Sequence, residues 1–207
     1  MIEQSGYILV VEDVPNILEL LEITLKFKGY RVITARNGQE ALEKIKEERP
    51  SLIITDILMP TMDGYAFVHE FRSNHMNLDI PVIFLSATYV TPEDKAFAMS
   101  LGATQFIEKP IDTEEFLLTI AELIMQKQPT SPMPLDPQTF YMGYRARLEN
   151  KLRHKANQIA RAQRLLKSLP ENQVSAYESL LQQTLQDREE IEKELQEIYR
   201  VIDELQK

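Results

Sequence analysis

Five polar residues in the first half of the chain have side chains that could support phosphoryl chemistry. They are Glu12, Asp13, Asp56, Ser86 and Lys109. Carboxylates that share one pocket repel one another, so ionising three of them together is costly. A hard divalent cation relieves this cost, and Mg²⁺ takes oxygen ligands and can bridge carboxylates to phosphate oxygens. We therefore expect a cation site that can receive a phosphoryl group, provided that the fold brings these residues together.

Asp56 is the candidate acceptor, because an aspartate carboxylate can attack phosphorus and form an aspartyl phosphate. The protein then has to supply positioning and charge neutralisation. The ammonium of Lys109 could pair with Asp56 or with a phosphoryl oxygen, and the hydroxyl of Ser86 could donate to the same oxygen. The chain has six glycines and no GxxxxGK[ST] loop, so we expect another molecule to supply the phosphoryl group. Taken singly, each residue could instead be a helix cap or a surface side chain.

Alternating strand and helix signals would position these residues. Short apolar runs predict strands at residues 7–11, 31–34, 52–55, 82–85 and 105–107. Helical patterns follow them at residues 15–28, 38–48, 65–72, 92–101 and 113–127. The strands are apolar without alternation, as expected when helices cover both faces of a sheet. Five such units predict a doubly wound five-stranded parallel sheet, in which ligands bind beyond the carboxyl ends of the strands. All five polar residues follow such ends.

The motifs at these strand ends resemble those of response-regulator receiver domains. They read Glu12-Asp13, Asp56-Ile57-Leu58-Met59-Pro60-Thr61-Met62-Asp63-Gly64, Ser86-Ala87 and Lys109-Pro110. The resemblance covers roughly residues 5–127. It implies a flavodoxin-like fold with strand order 2-1-3-4-5, similar to chemotaxis regulators. It also implies a role in two-component signal transduction.

The resemblance implies a phospho-acceptor and a metal site. Asp56 would accept a phosphoryl group from the phosphohistidine of a cognate histidine kinase or phosphotransfer protein. Mg²⁺, with Mn²⁺ as a substitute, would be held by Glu12, Asp13, Asp56 and the backbone carbonyl of Leu58. Because Leu58 has no polar side chain to orient a hydrolytic water, we expect slow to moderate loss of the phosphoryl group.

The resemblance also implies a switch and several structural positions. Lys109 and Ser86 would bind phosphoryl oxygens, and Ser86 would move toward the phosphoryl group. Phe106 would change rotamer, although a core aromatic is the alternative interpretation; as a Phe it offers no hydroxyl to a partner. The structural positions of the motifs are Pro60, Gly64 and Pro110, and the bond before Pro110 would be cis, which is affordable only before proline.

Four prolines within residues 128–137 predict a stiff, extended linker between a receiver domain at 1–127 and a helical region at 138–207. The helical region shows heptad-like spacing in two segments that are split by Pro170. The first seam consists of Leu148, Leu152, Lys155, Ile159, Ala162, Leu166 and Leu169. The second consists of Val174, Tyr177, Leu181, Thr184, Arg188, Ile191, Leu195, Ile198, Ile202 and Leu205. This pattern predicts an antiparallel helical hairpin in which Lys155 lies level with residues 184–188.

The two segments carry opposite charge. Residues 138–170 contain eight Lys/Arg and one Asp/Glu, a net of +7, whereas residues 171–207 contain four and ten, a net of −6. A hairpin alone buries little apolar surface. We therefore expect a homodimer through residues 138–207, as a coiled coil or four-helix bundle that signals to an unknown downstream protein.

Two alternative outputs stay open. The basic stripe between residues 145 and 167 could contact nucleic acid, as in a DNA-binding transcriptional regulator. The net charge of −9, the neighbouring acidic helix and the absence of a helix-turn-helix pattern disfavour this. A phosphorelay intermediate could use His154, although its neighbours lack the His-Glu-x-x-Thr/Asn-Pro box of sensor kinases. The tail lacks a catalytic constellation, so we expect no enzyme activity beyond self-catalysed phosphorylation and dephosphorylation.

Composition narrows the remaining classes. The chain has no cysteine, which excludes disulfides and thiolate metal sites. No apolar stretch approaches the roughly 20 residues that span a bilayer, and the N-terminus shows no signal-type segment. A cytoplasmic location without membrane contact is the expectation.

Overall fold

The structure is a computed structural model that describes residues 6–86, 91–125 and 134–206. The chain divides into two compact units, Met1–Leu135 and Asp136–Lys207. Ala87 of the Ser86-Ala87 motif and residues 128–133 of the predicted linker lie outside the described residues. The helical region begins at Pro137, one residue earlier than predicted, because the side chain of Asp136 caps it by accepting from the backbone N–H of Thr139 at 3.0 Å.

The first unit is a parallel sheet flanked by helices. Its strands are β1 (Ile8–Val11), β2 (Val32–Ala35), β3 (Leu52–Asp56), β4 (Val82–Ser86) and β5 (Gln105–Glu108). Its helices are α1 (Pro15–Phe27), α2 (Gly38–Glu47), α3 (Gly64–Ser73), α4 (Pro92–Ser100) and α5 (Thr113–Met125), with a short 3₁₀ helix (His75–Asn77) before β4. The sheet order is β2-β1-β3-β4-β5. The predicted doubly wound fold and its strand order are therefore confirmed.

Both faces of the sheet are covered. On one face a core forms among the strands, α1 and α5, and it contains Ile8, Val10, Leu21, Leu25, Val32, Leu52, Ile54, Ile83, Leu85, Phe116, Ile120 and Leu123. On the other face the ring of Phe84 lies 5.5 Å from that of Tyr65 of α3, centroid to centroid. Strands β1, β3 and β4 are buried along their whole length. This two-sided burial is the reason that their sequences are apolar without alternation.

Local signals start the helices close to the strand ends. Pro15 occupies the first turn of α1, where its missing N–H leaves no bond unmade. The carboxylate of Asp63 accepts from the backbone N–H of Ala66 at 2.9 Å and so caps α3. Within the described residues of the first unit the element limits differ from the sequence predictions by at most one residue. The predicted end of the fifth helix, at 127, lies outside them.

The second unit is a pair of long helices, α6 (Pro137–Leu166) and α7 (Glu171–Leu205). Their side-chain contacts join Tyr144 to Glu194, Glu149 to Tyr199, and Lys155 to Asp187. The mean of the two residue numbers lies between 169 and 174 for every pair. A nearly constant mean is what an antiparallel arrangement about a single turn requires. The predicted level of Lys155 is confirmed, because its Nζ donates to Asp187 Oδ2 at 2.6 Å. None of the helices in the described part of the chain combines the length and apolar character needed to cross a membrane.

Candidate functional site

Three carboxylates meet beyond the ends of two neighbouring strands. Glu12 and Asp13 directly follow β1, and Asp56 is the last residue of β3. Val11 lies opposite Thr55 in the parallel register, so Glu12 and Asp56 stand level with each other at the sheet edge. One oxygen from each of Glu12, Asp13 and Asp56 lies within 4.8 Å of the others. The structure therefore brings together the three acidic residues that the sequence predicted.

Lys109 reaches the same pocket from the end of β5. Its Nζ donates to Asp56 Oδ1 at 2.6 Å and to Glu12 Oε2 at 2.7 Å. The backbone around it is fixed, because its N–H donates to the carbonyl of Ser86 at 2.7 Å, and its bond to Pro110 is cis. One ammonium thus holds one oxygen of each of two carboxylates.

The other oxygen of each carboxylate accepts a backbone hydrogen bond. Asp56 Oδ2 accepts from the N–H of Leu58 at 2.9 Å, and Glu12 Oε1 accepts from the N–H of Val14 at 3.2 Å. Both acidic side chains are buried, with 8% of Asp56 and 1% of Glu12 exposed. Asp13 is only half-buried. The orientation of Asp56 is therefore set by Lys109 on one side and by the turn at Leu58 on the other.

Burial dominates the electrostatics of the pocket. It raises the pKa of Asp56 and the pKa of Glu12, and the hydrogen bonds from Lys109 only partly oppose this effect. Burial also acts to lower the pKa of Lys109, but its hydrogen bonds to Asp56 and Glu12 outweigh burial and raise that pKa. Lys109 therefore stays charged, whereas the carboxylates hold protons more readily than in water. With all four groups ionised, three negative charges face one positive charge, which is an environment suited to an added cation.

The turn after β3 depends on a glycine at its end. The N–H of Gly64 donates to the carbonyl of Ile57 at 2.9 Å. A Cβ on Gly64 would lie well inside 3.0 Å of the backbone oxygen of Asp56, a separation that real Cβ atoms essentially never show. Thr61 in this turn adopts φ of 69°, in the left-handed region. The motif gives no signal for that conformation, and the sequence prediction missed it.

We expect Gly64→Ala to damage the site more than the fold. The added methyl pushes on the backbone of Asp56, which should cost about 1–3 kcal/mol of unfolding free energy and misplace the carboxylate. Small misplacements of a reacting group can lower rates by about 100-fold. Phosphoryl incorporation from a small-molecule donor, followed by intact-mass measurement, tests this. The matched control is Gly29→Ala, where φ is +87° but nothing lies within 4 Å; it should lose stability and keep phosphorylation.

Two further predicted residues lie on adjacent strands. Ser86 is the last residue of β4, one position beyond Leu85, which lies opposite Asp56. Phe106 of β5 lies opposite Phe84 and is 8% exposed, so its ring is buried in this conformation. Pro60 is exposed in the turn after β3. His154 lies far along α6 and is exposed.

Comparisons with known proteins converge on one domain. The family model for the response regulator receiver domain matches residues 8–121. The probable transcriptional regulator ycf27 of Pyropia yezoensis is 37% identical over 124 residues, covering 60% of this chain and 49% of that protein. The response regulator SaeR of Staphylococcus aureus (strain USA300) is 29% identical over 134 residues, covering 65% and 57%.

A solved structure shows the same likeness. The chemotaxis protein CheY4 of Vibrio cholerae superposes with a TM-score of 0.54 at 35% identity, covering 57% of this chain and 98% of that one. The chain spans about half the length of the curated relatives it matches. The likeness therefore concerns the first unit, and α6 and α7 have to be interpreted from their own residues.

Proposed function

Because the chain belongs to the family of response regulator receiver domains, we propose that Asp56 accepts a phosphoryl group from the phosphohistidine of a histidine kinase or phosphotransfer protein. One carboxylate oxygen attacks the phosphorus, the phosphorus–nitrogen bond breaks, and the imidazole leaves. The product is an aspartyl phosphate. The observation that carries this proposal is the geometry of Asp56, whose two oxygens are oriented by Lys109 Nζ at 2.6 Å and the N–H of Leu58 at 2.9 Å.

The residues around Asp56 have separable roles in this proposal. Lys109 favours the ionised form of Asp56, which partly opposes the effect of burial, and it is close enough to pair with a phosphoryl oxygen once the acceptor is modified. Ser86, at the end of β4, supplies a hydroxyl to the same group. Movement of Ser86 and a rotamer change of Phe106 would then carry the signal along β4 and β5.

The acidic cluster fits a divalent cation. Three carboxylate oxygens lie within 4.8 Å of one another, and a single ammonium leaves them under-neutralised. We propose that Glu12, Asp13, Asp56 and the backbone carbonyl of Leu58 hold Mg²⁺, for which Mn²⁺ can substitute. When bound, the ion neutralises charge on the transferring phosphoryl oxygens.

Phosphorylation by a small donor tests the core of this proposal. The full chain is incubated with phosphoramidate in Mg²⁺ or in EDTA, and its intact mass and modified peptide are determined. We expect one phosphoryl group on the peptide that contains Asp56, formed in Mg²⁺ and nearly absent in EDTA. Modification at another residue, or equal modification in EDTA, would contradict the proposal.

Leu58 should set the lifetime of the phosphoryl group. Its side chain is 48% exposed and lies two residues beyond the acceptor, but it cannot hydrogen-bond a water. We expect Leu58→Gln to speed loss of the phosphoryl group by roughly tenfold, since a positioned polar group assists attack by water. Leu58→Ala is the matched control and should leave the rate within about twofold. Decay of the phosphorylated mass over time measures both, and equal rates for the two variants would count against this role.

For the output, we propose protein–protein interaction in the cytoplasm through the helix pair, with homodimerisation through residues 138–207. A DNA-binding role is the second candidate, because curated relatives are named transcriptional regulators. Those likenesses span 124 residues of this chain, so gel-shift assays on the full chain have to decide it. A relay through His154 is the third candidate, and His154→Gln in a phosphotransfer assay tests it.

A further inference from the structure

The tip of the helix pair carries apolar surface that the two helices leave uncovered. Far from the tip, seam residues Ile191, Leu195, Ile198 and Ile202 are 3–8% exposed. Near the turn at residues 167–170, the seam residues Leu166, Leu169, Val174, Tyr177 and Leu181 are only half-buried. Two leucines beside the seam are more exposed still: Leu165 at 40% and Leu180 at 57%.

These two leucines lie on one edge of the pair. Residues seven apart share a stripe on a helix, so Leu165 lies in line with Tyr144 on α6, and Leu180 lies in line with Asp187 and Glu194 on α7. Two contacts hold this edge. Tyr144 donates its hydroxyl hydrogen to Glu194, and Lys155, which reaches across from α6, donates to Asp187 at 2.6 Å.

Leu165 and Leu180 lie on this edge closer to the tip. The mean residue numbers of the Tyr144–Glu194 and Lys155–Asp187 contacts are 169 and 171. The mean residue number of Leu165 and Leu180 lies between 172 and 173, within the range of the observed cross-helix pairs, so the antiparallel register puts the two leucines at the same level. We name them the tip rung. The two contacts named above join the helices through polar groups farther from the tip, whereas the tip rung is apolar and exposed.

The opposite charges of α6 and α7 favour one orientation of a second helix pair over the tip rung. The segment containing α6 carries +7 and the segment containing α7 carries −6. When a second helix pair meets this edge with its tip at the same end, each basic helix lies beside the acidic helix of the other copy. With the tip at the opposite end, α6 lies against α6 and like charges face each other, which is unfavourable.

We propose that a second copy of this chain docks on the tip rung with its helix pair parallel to the first. Leu165 of one copy then packs against Leu180 of the partner subunit, and the four leucines close the bundle at its tip. The charges alternate around the four helices. This inference deepens the dimerisation in the proposed function and rests on it.

Cross-linking tests the arrangement directly, because the chain has no cysteine. Leu165→Cys and Leu180→Cys variants, one enlarged by a fused tag, are mixed, allowed to exchange subunits and oxidised. We expect the mixed cross-linked dimer to exceed either self-linked dimer at least about fivefold. Leu165 and the partner's Leu180 lie on adjacent helices, roughly 10 Å apart, whereas identical residues lie on diagonal helices, too far apart for a disulfide. Lys193→Cys, an exposed position on α7 roughly opposite the seam, should not link to Leu165→Cys. Self-linked Leu165→Cys as the main product would overturn the proposed arrangement.

Mass in solution separates this inference from the proposed function. Leu180→Gln should weaken dimerisation at least about tenfold by light scattering, because it removes apolar burial. Leu118→Gln replaces a leucine of similar exposure, 65%, on α5 and should leave the mass unchanged. Circular dichroism confirms that each variant keeps its helices. A dimer without the mixed cross-link overturns the docking arrangement alone, and a wild-type monomer overturns the proposed dimerisation as well. Neither result touches phosphorylation at Asp56.

Discussion

Asp56→Asn should reduce phosphoryl incorporation to background, a loss of at least about 100-fold. The amide lacks the anionic oxygen that attacks phosphorus. Its one carbonyl oxygen can still accept the hydrogen bond from Lys109, whereas its NH₂ group cannot accept the one that the N–H of Leu58 donates to Asp56 Oδ2. The measurement is intact mass after incubation with phosphoramidate and Mg²⁺.

The same substitution should not weaken the fold. Burial raises the pKa of Asp56, which means that the folded protein favours the ionised carboxylate less than the unfolded chain does. Replacing it with a neutral amide also reduces the excess of negative charge beside Glu12 and Asp13. We therefore expect the Mg²⁺-free variant to unfold at the same temperature as wild type or a higher one. A variant that both unfolds early and loses labelling would leave misfolding as the explanation.

Asp79→Asn is the matched control for Asp56→Asn. Asp79 is exposed in the segment before β4, at the opposite end of that strand from the pocket. It pairs there with Arg49, and such exposed pairs contribute little to stability. This variant should be labelled as wild type is. Continued labelling of Asp56→Asn at the pocket would show that another residue is the acceptor.

Lys109→Met should destabilise the Mg²⁺-free protein by about 3 kcal/mol, because removing one partner of a buried ion pair leaves the other charge uncompensated. In this site the substitution removes the ammonium that two carboxylates share, since Lys109 Nζ lies 2.6 Å from Asp56 Oδ1 and 2.7 Å from Glu12 Oε2. The loss should shrink as the pH is lowered toward the raised pKa values of Asp56 and Glu12, since their protonation removes the unpaired charge. Thermal unfolding across a pH series measures both effects.

Mg²⁺ should partly rescue Lys109→Met. A more negative pocket binds the cation more tightly, so added Mg²⁺ should raise the unfolding temperature of the variant more than that of wild type. Phosphoryl incorporation should still fall at least about tenfold, because the charge-assisted bond to a phosphoryl oxygen is gone. Lys95→Met, an exposed position on α4, should change neither quantity. A Lys109→Met variant as stable as wild type in EDTA would show that the three-way contact contributes nothing.

In the helix pair, the sequence pattern predicted the helices but not the details of their contacts. The heptad spacing predicted both helices and the level at which Lys155 meets α7, because the spacing of apolar residues along the chain indicates which side of a helix is buried. It did not identify Asp187, outside the predicted seam, as the partner of Lys155. It also did not distinguish Leu165 and Leu180 from other leucines, since their exposure depends on how two separate helices rotate against each other.

For the first unit, the sequence predicted the fold and the residues of the site. Five apolar runs determined the sheet, and the polar residues at their ends determined which groups could meet, because parallel strands deliver their carboxyl ends to one edge. Tertiary structure decided how those groups are arranged. It set the sharing of Lys109 between Asp56 and Glu12, the close approach of Gly64 to Asp56, and the left-handed backbone of Thr61. These features depend on distances between segments up to 97 residues apart, which are fixed only when the sheet closes and the loops pack. The residue types that perform the chemistry are local information, and their distances and protonation come from packing.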